Sequence, residues 1–273
     1  MGPKPFEVTN FLESFRLQND SSFSTVNTAR SAISSIIFYE GQPIGQHSDV
    51  TVYMKALERL VPKTPKYEHV WDPSVVLRYL TRWSPVHLLD IKLLSYKLLM
   101  LLLLATGQRL QTMLKLDISK IQFVGGKAIC RIDDKLKTSK PGKSSYVKIR
   151  EYPANRALCP IRYLREYLKR TEQNRTTKKL FVSCNKPHHQ VTTQTLGRWA
   201  KTVLKAAGIS NAFGAHSTRA AATSSAFYQG VPLDFILDCA AWTSESTFSK
   251  WYKKPVQKEN QFQNKVFDTH KQN

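Results

Sequence analysis

Apolar residues recur at helical spacing through the first part of the chain. Phe6, Phe11, Leu12 and Phe15 form a stripe within Pro5 to Gln18, which predicts a first helix. Ser24-Thr25 is placed to cap a second helix through Val26, Ala29, Ile33, Ile36 and Ile37, ended by Gly41 and Pro43. Val52, Met54, Leu57 and Leu60 predict a third helix over Val50 to Leu60. Val61-Pro62-Lys63-Thr64-Pro65-Lys66-Tyr67 then reads as an extended connector, because each proline biases its predecessor away from helix. A domain boundary is placed there, separating a helical unit over 1–66 from a larger one over 67–273.

The second unit opens on Asp72-Pro73-Ser74, a cap followed by proline at the first helical position, with a short helix to about Trp83. Leu88 to Leu104 is the most apolar segment and is expected at the centre of the fold. Thr106-Gly107 breaks it, and a short helix follows over Gln108 to Leu116. Lys127 to Asp133 alternates like a strand, and Tyr146 to Ile149 matches it. The basic stretch between them, with Pro141-Gly142, predicts a hairpin, and Lys179 to Ser183 is a candidate third strand. Helices are expected from Cys159-Pro160 to Thr171, from Thr193 to Gly208, over His216 to Gln229, over Pro232 to Ala241 and over Ser244 to Tyr252. The tail from Val256 is polar, with Val266 and Phe267 as its apolar anchors. The fold class expected is mainly α with a small antiparallel sheet, an α+β chain in two domains.

Composition narrows the function. The chain has 273 residues, with 41 Lys and Arg against 20 Asp and Glu, for a net charge of +21. A chain this basic is expected to meet a polyanion, and nucleic acid is the first candidate. The four cysteines, Cys130, Cys159, Cys184 and Cys239, form no CxxC pair, so neither a disulfide scaffold nor a zinc site is expected. Cys184, His188 and His189 are the nearest approach to a metal cluster and lack a fourth ligand at sensible spacing. No metal and no cofactor is expected. Met1 to Pro5 lacks the apolar stretch of a signal peptide, and Lys92 and Lys97 interrupt the apolar run before it could span a bilayer. The expectation is an intracellular protein with no membrane partner, with its buried thiols suited to a reducing compartment.

Four fragments carry candidate chemistry. Arg109 follows a Thr-Gly turn behind the apolar helix, where its planar fork could bind a phosphate oxygen pair. His216 and Arg219 share a face at i, i+3 and open a helix, so the N-terminal amide field adds to their positive potential. Lys135 to Arg150 holds six basic residues and no acid: Lys135, Lys137, Lys140, Lys143, Lys148 and Arg150. Such a hairpin suits a nucleic-acid groove, and one ammonium, Lys137 or its rival Lys140, could reach a leaving oxygen. Tyr252 lies after Trp242, beside Lys253 and Lys254, whose charges favour a phenolate and a phosphate partner. Each fragment alone also has an ordinary reading: a surface arginine, a capping histidine, backbone-contacting lysines, a packing tyrosine and a core tryptophan. Ala226, Gly230 and Ile236 have helix–turn–helix spacing, but Leu233 to Ala241 carries no Arg, Lys, Asn or Gln to read bases, so buried packing is expected for it.

Taken together, the fragments resemble the tyrosine recombinase (phage integrase) family over about Asp72 to Lys254, and the N-terminal helices resemble its core-binding domain less specifically. Ala105-Thr106-Gly107-Gln108-Arg109-Leu110-Gln111-Thr112, Ala215-His216-Ser217-Thr218-Arg219 and Ala241-Trp242-Thr243-Ser244-Glu245-Ser246-Thr247-Phe248 look most like the recombinases of DIRS and Ngaro-type retroelements. The resemblance implies two domains clasping duplex DNA, a homotetramer on paired sites, and a nuclear location. It implies that Tyr252 attacks the scissile phosphate to form a 3′-phosphotyrosyl bond while Arg109 and Arg219 hold the non-bridging oxygens. It also implies that His216 assists proton transfer, that Trp242 fills the family's His-or-Trp position, and that Lys137 protonates the 5′-oxygen. Lys135, Lys140, Lys143, Lys148, Arg150, Lys253 and Lys254 are then DNA contacts. The polar tail from Val256 is expected to dock on a neighbouring subunit. Fixed cations suit a reaction whose rate enhancements reach ~10¹⁷. Two departures stand out: Thr112 occupies a position that is usually acidic, and the Trp242-to-Tyr252 interval is one residue longer than in phage and bacterial members. The alternatives are a DNA-binding module without catalysis and a type IB topoisomerase-like activity.

Overall fold

The computed structural model describes residues 2–62, 65–134 and 144–257. The chain divides into two compact units, Met1–Lys66 and Tyr67–Asn273.

The first unit is built from α1 (Pro5–Gln18), α2 (Phe23–Ser34), a tight hairpin of β1 (Phe38–Tyr39) and β2 (Gln42–Pro43), and α3 (Ser48–Leu60). Val8, Leu12, Phe23, Val26, Ile44, Val50, Met54 and Leu57 form its core. The cap of α2 is Ser22, whose Oγ accepts Thr25 N–H at 3.3 Å, and not the Ser24-Thr25 pair expected. That helix also stops earlier than its apolar pattern suggests. The chain doubles back so that Gly45 packs against Ser34 and donates its N–H to Ser34 Oγ at 3.2 Å, which leaves Ile36 outside the core at 78% exposure.

The second unit contains β3 (Val70–Trp71), α4 (Pro73–Thr81), α5 (Ile91–Thr106), α6 (Leu110–Lys115), β4 (Ile121–Val124), β5 (Lys127–Ile132) and β6 (Ser145–Arg150). It continues through α7 (Pro160–Thr171), α8 (Thr193–Ala206), α9 (Ser217–Tyr228), α10 (Leu233–Ala240), α11 (Glu245–Trp251) and β7 (Val256–Gln257). Asp72 caps α4 by accepting Ser74 N–H at 2.9 Å, and Pro73 fills the first helical position. The apolar α5 is buried on nearly every side and packs against α7, α8 and α9. Lys97, read as an interruption, is wholly buried, and its ammonium donates to Leu80 O at 2.7 Å, Trp83 O at 2.6 Å and Tyr163 Oη at 2.8 Å.

The sheet is antiparallel in the order β4-β5-β6. Ala128, Cys130, Ile132, Val147 and Ile149 face the core, as strand alternation demands. Gly125 and Gly126, both at positive φ, make the two-residue turn between β4 and β5. The third strand is thus Ile121–Val124. Lys179 to Ser183 holds only the isolated bridges Asp117↔Lys179 and Val182↔Gln190. β5 and β6 pair from Lys127↔Arg150 to Ile132↔Ser145. Lys135, Lys137, Lys140 and Lys143, between these strands, lie outside the described residues, as do Val266 and Phe267. β7, directly after α11, pairs in parallel with β3 in the register Val70↔Val256. Cys130 and Cys159 are buried, but Cys184 is half-buried and Cys239 exposed.

Candidate active site

The site assembles where α5 ends and α9 begins. Gly107 turns the chain at φ +58°, and a β-carbon there would stand 2.9 Å from Thr223 Cγ2 and 3.5 Å from Ala240 Cβ. Glycine therefore serves twice: it permits the left-handed turn and lets the end of α5 approach α9 and α10. Gln108, which is buried, donates Nε2 to Cys239 O at 2.7 Å and ties the turn to the end of α10. Arg109 then precedes α6 in extended conformation, with its main-chain carbonyl accepting Thr112 N–H at 2.9 Å. Thr112, at the usually acidic position, is itself buried.

The turn before α9 is fixed from β3 and the segment just before it. Trp71 Nε1 donates to Ser217 Oγ at 2.9 Å, Ser217 Oγ donates to Gly214 O at 2.7 Å, and Tyr67 Oη accepts Gly214 N–H at 3.0 Å. His216 is thereby presented at the mouth of the site. Arg219 lies one turn deeper and is 2% exposed. Its Nη1 donates to Gly107 O at 2.5 Å, and its guanidinium carbon sits 3.9 Å from the Trp242 ring centroid and 5.4 Å from that of Tyr252.

Trp242 is aimed inward by Ala241, which ends α10 at φ +52°, and by its own N–H donating to Leu237 O at 2.9 Å. Ser244 caps α11, and the fully buried Phe248 packs on Trp242 and Phe227. Tyr252 follows the last residue of α11. Its ring centroid is 4.6 Å from that of Trp242, and its Oη lies 3.2 Å from His216 Nε2. With Nε2 unprotonated, the phenol donates this bond. Trp251 closes α11, and the side chain of Tyr252 reaches the imidazole.

The electrostatics favour an anion. Burial first, then the Arg219 and Arg109 guanidiniums, hold the His216 imidazole below its ordinary value. Burial first, then repulsion from Arg109, lowers Arg219, against an opposing contribution from Tyr252. Among the described residues no carboxylate pairs with either arginine. Arg219 Nε and Nη2, Trp242 Nε1 and Thr218 Oγ1 are buried without hydrogen-bond partners. Orphan donors of this kind are rare and unfavourable, and anionic oxygens are their natural acceptors.

The structure thus brings Arg219, His216, Trp242 and Tyr252 into direct contact, with Arg109 close enough to shift both His216 and Arg219. Around them, Lys148 and Arg150 are exposed on β6, with Lys148 Nζ 3.6 Å from Asp238 on α10. Lys253 is exposed and lies over the Phe227 ring at 4.6 Å. Lys254, read as a DNA contact, is instead 7% exposed, and its ammonium donates to Tyr67 O. Its stem packs inward because β7 must reach β3. Helix α10, expected to be buried, hides Ile236 and Ala240 but leaves Asp234, Phe235, Asp238 and Cys239 exposed. Gln108, Ser217 and Trp71 support the site and were not legible in the sequence, because their contacts join positions far apart in the chain. Among the described residues, no three His, Cys, Asp or Glu side chains group as metal ligands, and no helix is long and apolar enough to cross a membrane.

A sequence model described as the phage integrase family matches residues 87–259, more than half of the chain. No curated protein matches the chain significantly. Among solved structures, XerH site-specific recombinase bound to difH substrate in a pre-cleavage complex is 16% identical with a TM-score of 0.64, over 97% of this chain and 69% of that one. A lambda integrase dimer bound to a COC′ core site is 17% identical with a TM-score of 0.57, over 94% and 82%. The Tn1549 transposon integrase in complex with circular intermediate DNA is 12% identical with a TM-score of 0.54, over 97% and 85%. At these identities the structures speak to the fold, and the sequence match speaks to descent. With a phenol, an imidazole and paired guanidiniums meeting inside the matched segment, the two lines converge: the chain belongs to the phage integrase family, the tyrosine recombinases, which recombine DNA by cleaving and rejoining its strands.

Proposed function

We propose that this chain performs site-specific recombination or integration through a 3′-phosphotyrosyl intermediate, with Tyr252 as nucleophile. The observation that carries the reading is the 3.2 Å approach of Tyr252 Oη to His216 Nε2 beside the buried Arg219. Tyr252 Oη attacks phosphorus and its proton passes to His216. The bond from phosphorus to the 5′-oxygen breaks, and that oxygen takes a proton from Lys137, or from Lys140 in its place. Arg109, Arg219 and the Trp242 N–H face the non-bridging oxygens as charge develops. The phosphotyrosyl bond conserves the energy of the phosphodiester, so a 5′-hydroxyl can reverse the step without a nucleotide cofactor.

The partner in this reading is duplex DNA. The helical unit and the catalytic unit each contribute contacts, and Lys148, Arg150 and Lys253 lie on the exposed cationic surface near the site. Related structures include DNA complexes, among them a lambda integrase tetramer bound to a Holliday junction, which supports a homotetramer on paired sites here. The motifs around Arg109, His216 and Trp242 support affinity with DIRS and Ngaro-type retroelement recombinases, and with it a nuclear location.

The test uses a pool of nicked duplexes randomised around the nick, so that cleavage releases a short strand and traps the adduct. A protein–DNA adduct that survives denaturation and disappears in Tyr252→Phe is expected. Salt-sensitive binding with no adduct anywhere in the pool points instead to a DNA-binding module, and an adduct that persists in Tyr252→Phe removes Tyr252 from its role.

A further inference from the structure

A nucleophile on a terminal helix needs something to hold it. Tyr252 follows the seven-residue α11 and contacts His216 through its side chain alone. The main chain around it is secured by groups that do not touch the reacting atoms. Ser224 lies on α9, the helix that also carries Arg219 and has the preceding His216 at its N-cap position, and it is fully buried. Its Oγ donates to Tyr252 O and accepts Lys254 N–H at 3.2 Å. One hydroxyl therefore ties the backbone on both sides of Lys253 to the helix of the imidazole and the guanidinium.

Lys254 makes the second tie. Its ammonium is buried and donates to Tyr67 O, in the segment whose phenol accepts Gly214 N–H ahead of His216. Burying an ammonium is unfavourable unless it is well bonded, and this one sits in a chain of net charge +21. Beyond it, Val70 N–H donates to Pro255 O at 2.9 Å, and β7 continues alongside β3. The segment 67–71 thus grips the loop before the imidazole and the chain after the phenol.

We infer that Ser224 and Lys254 are positioning residues for Tyr252, clamping the nucleophile's main chain to α9 and to the segment 67–71 so that the phenol rests on His216. The inference rests on the assignment of Tyr252 as nucleophile. A loss of alignment at a reacting atom lowers rate far more than affinity, by up to about a hundredfold for about 1 Å.

The test places 3-fluorotyrosine at position 252, where the nearby Trp242 ring displaces the ¹⁹F resonance, and compares Ser224→Ala, Ser224→Thr and Lys254→Met. In the Ala and Met variants we expect the resonance to shift and broaden. The single-turnover rate of adduct formation on the nicked-duplex pool is expected to fall about tenfold or more, with the Kd for that pool unchanged. Ser224→Thr, which keeps the hydroxyl, should restore both. An unmoved resonance with an unchanged rate in both variants overturns the inference, as does global unfolding of both, which would make the residues ordinary core. If the native protein forms no adduct, the proposed function fails, while the ¹⁹F spectra still decide whether Ser224 and Lys254 hold the phenol.

Discussion

Arg219 is 2% exposed, stacked on Trp242, and shares its surroundings with Arg109 without a carboxylate between them among the described residues. Two like charges held together raise the free energy of the unliganded protein, and a bound phosphate reverses the sign. Arg109→Gln should therefore stabilise the free protein, by on the order of 1 kcal/mol for like charges near a surface. The same change should abolish adduct formation. Urea unfolding of both proteins checks the first part, and a lower midpoint in the variant would show that Arg109 serves packing. His216 provides a second prediction. Its imidazole is held below the ordinary value of about 6.5 by burial and by the two guanidiniums. A lowered histidine is neutral at pH 7 and contributes stability that is lost as pH falls below about 6.5, where the unfolded state takes up the proton first. Adduct formation should persist to more acidic pH than an ordinary imidazole base allows, then fall along one limb that is absent in His216→Gln. A limb centred at or above about 6.5 in single-turnover rates would contradict the electrostatic reading.

At the scale of elements, the end of α5 is the joint on which the site is built. Gly107 meets Thr223 of α9 and Ala240 of α10, and its carbonyl accepts Arg219 Nη1. Gly107→Ala should cost about 2 kcal/mol, from the positive φ and the 2.9 Å clash, and should slow adduct formation in proteins that remain folded. Thermal unfolding with single-turnover kinetics tests this, and a variant equal to the native protein in both would refute it. Lys97 in the middle of α5 gives a pH signature, because burial pushes its ammonium down to about 7. Between about pH 7 and about 10.5 the unfolded chain binds more protons than the folded one, so stability should rise with pH across that window, by up to about 5 kcal/mol. Lys97→Met should flatten this rise, and an unchanged slope in urea unfolding would reject the assignment. Elements of this kind were largely legible: proline at the start of α4, glycine at the end of α5, and the alternation of β5 and β6 are local signals. What was not legible depended on distant partners. The end of α2 is set by Gly45 returning to Ser34, Lys179 to Ser183 makes only bridges, and Lys254 turns inward to Tyr67 although its sequence neighbours suggested a surface cation. The same holds for the site. The residues able to do chemistry were visible by type and order, whereas Gln108, Ser217, Trp71 and Ser224 became visible only once the chain had folded around them.

At the scale of the whole molecule, stability is divided unequally. The unit Met1–Lys66 rests on a core of Val8, Leu12, Phe23, Val26, Ile44, Val50, Met54 and Leu57 and leaves Phe6, Phe11, Leu17, Phe38 and Leu60 exposed. Domains of about 60 residues bury too little surface to be more than marginally stable. The unit from Tyr67 onward surrounds α5 with a far larger core. Calorimetry should therefore resolve two transitions, with the smaller unit melting first. Duplex DNA supplies the discriminating condition. A ligand that binds only the folded form stabilises by about 2.7 kcal/mol at a hundredfold excess over Kd. If the helical unit is a DNA-binding element, adding a duplex at low salt should raise the lower transition as well as the upper one, and higher salt should reverse the gain because the interaction is with phosphates. A lower transition that ignores DNA while the upper one rises would confine binding to the catalytic unit and remove the DNA-clasping role from residues 1–66. Hydrogen exchange on Val8, Leu12 and Met54 amides, measured with and without duplex, would assign the lower transition to this core and fix which unit responds.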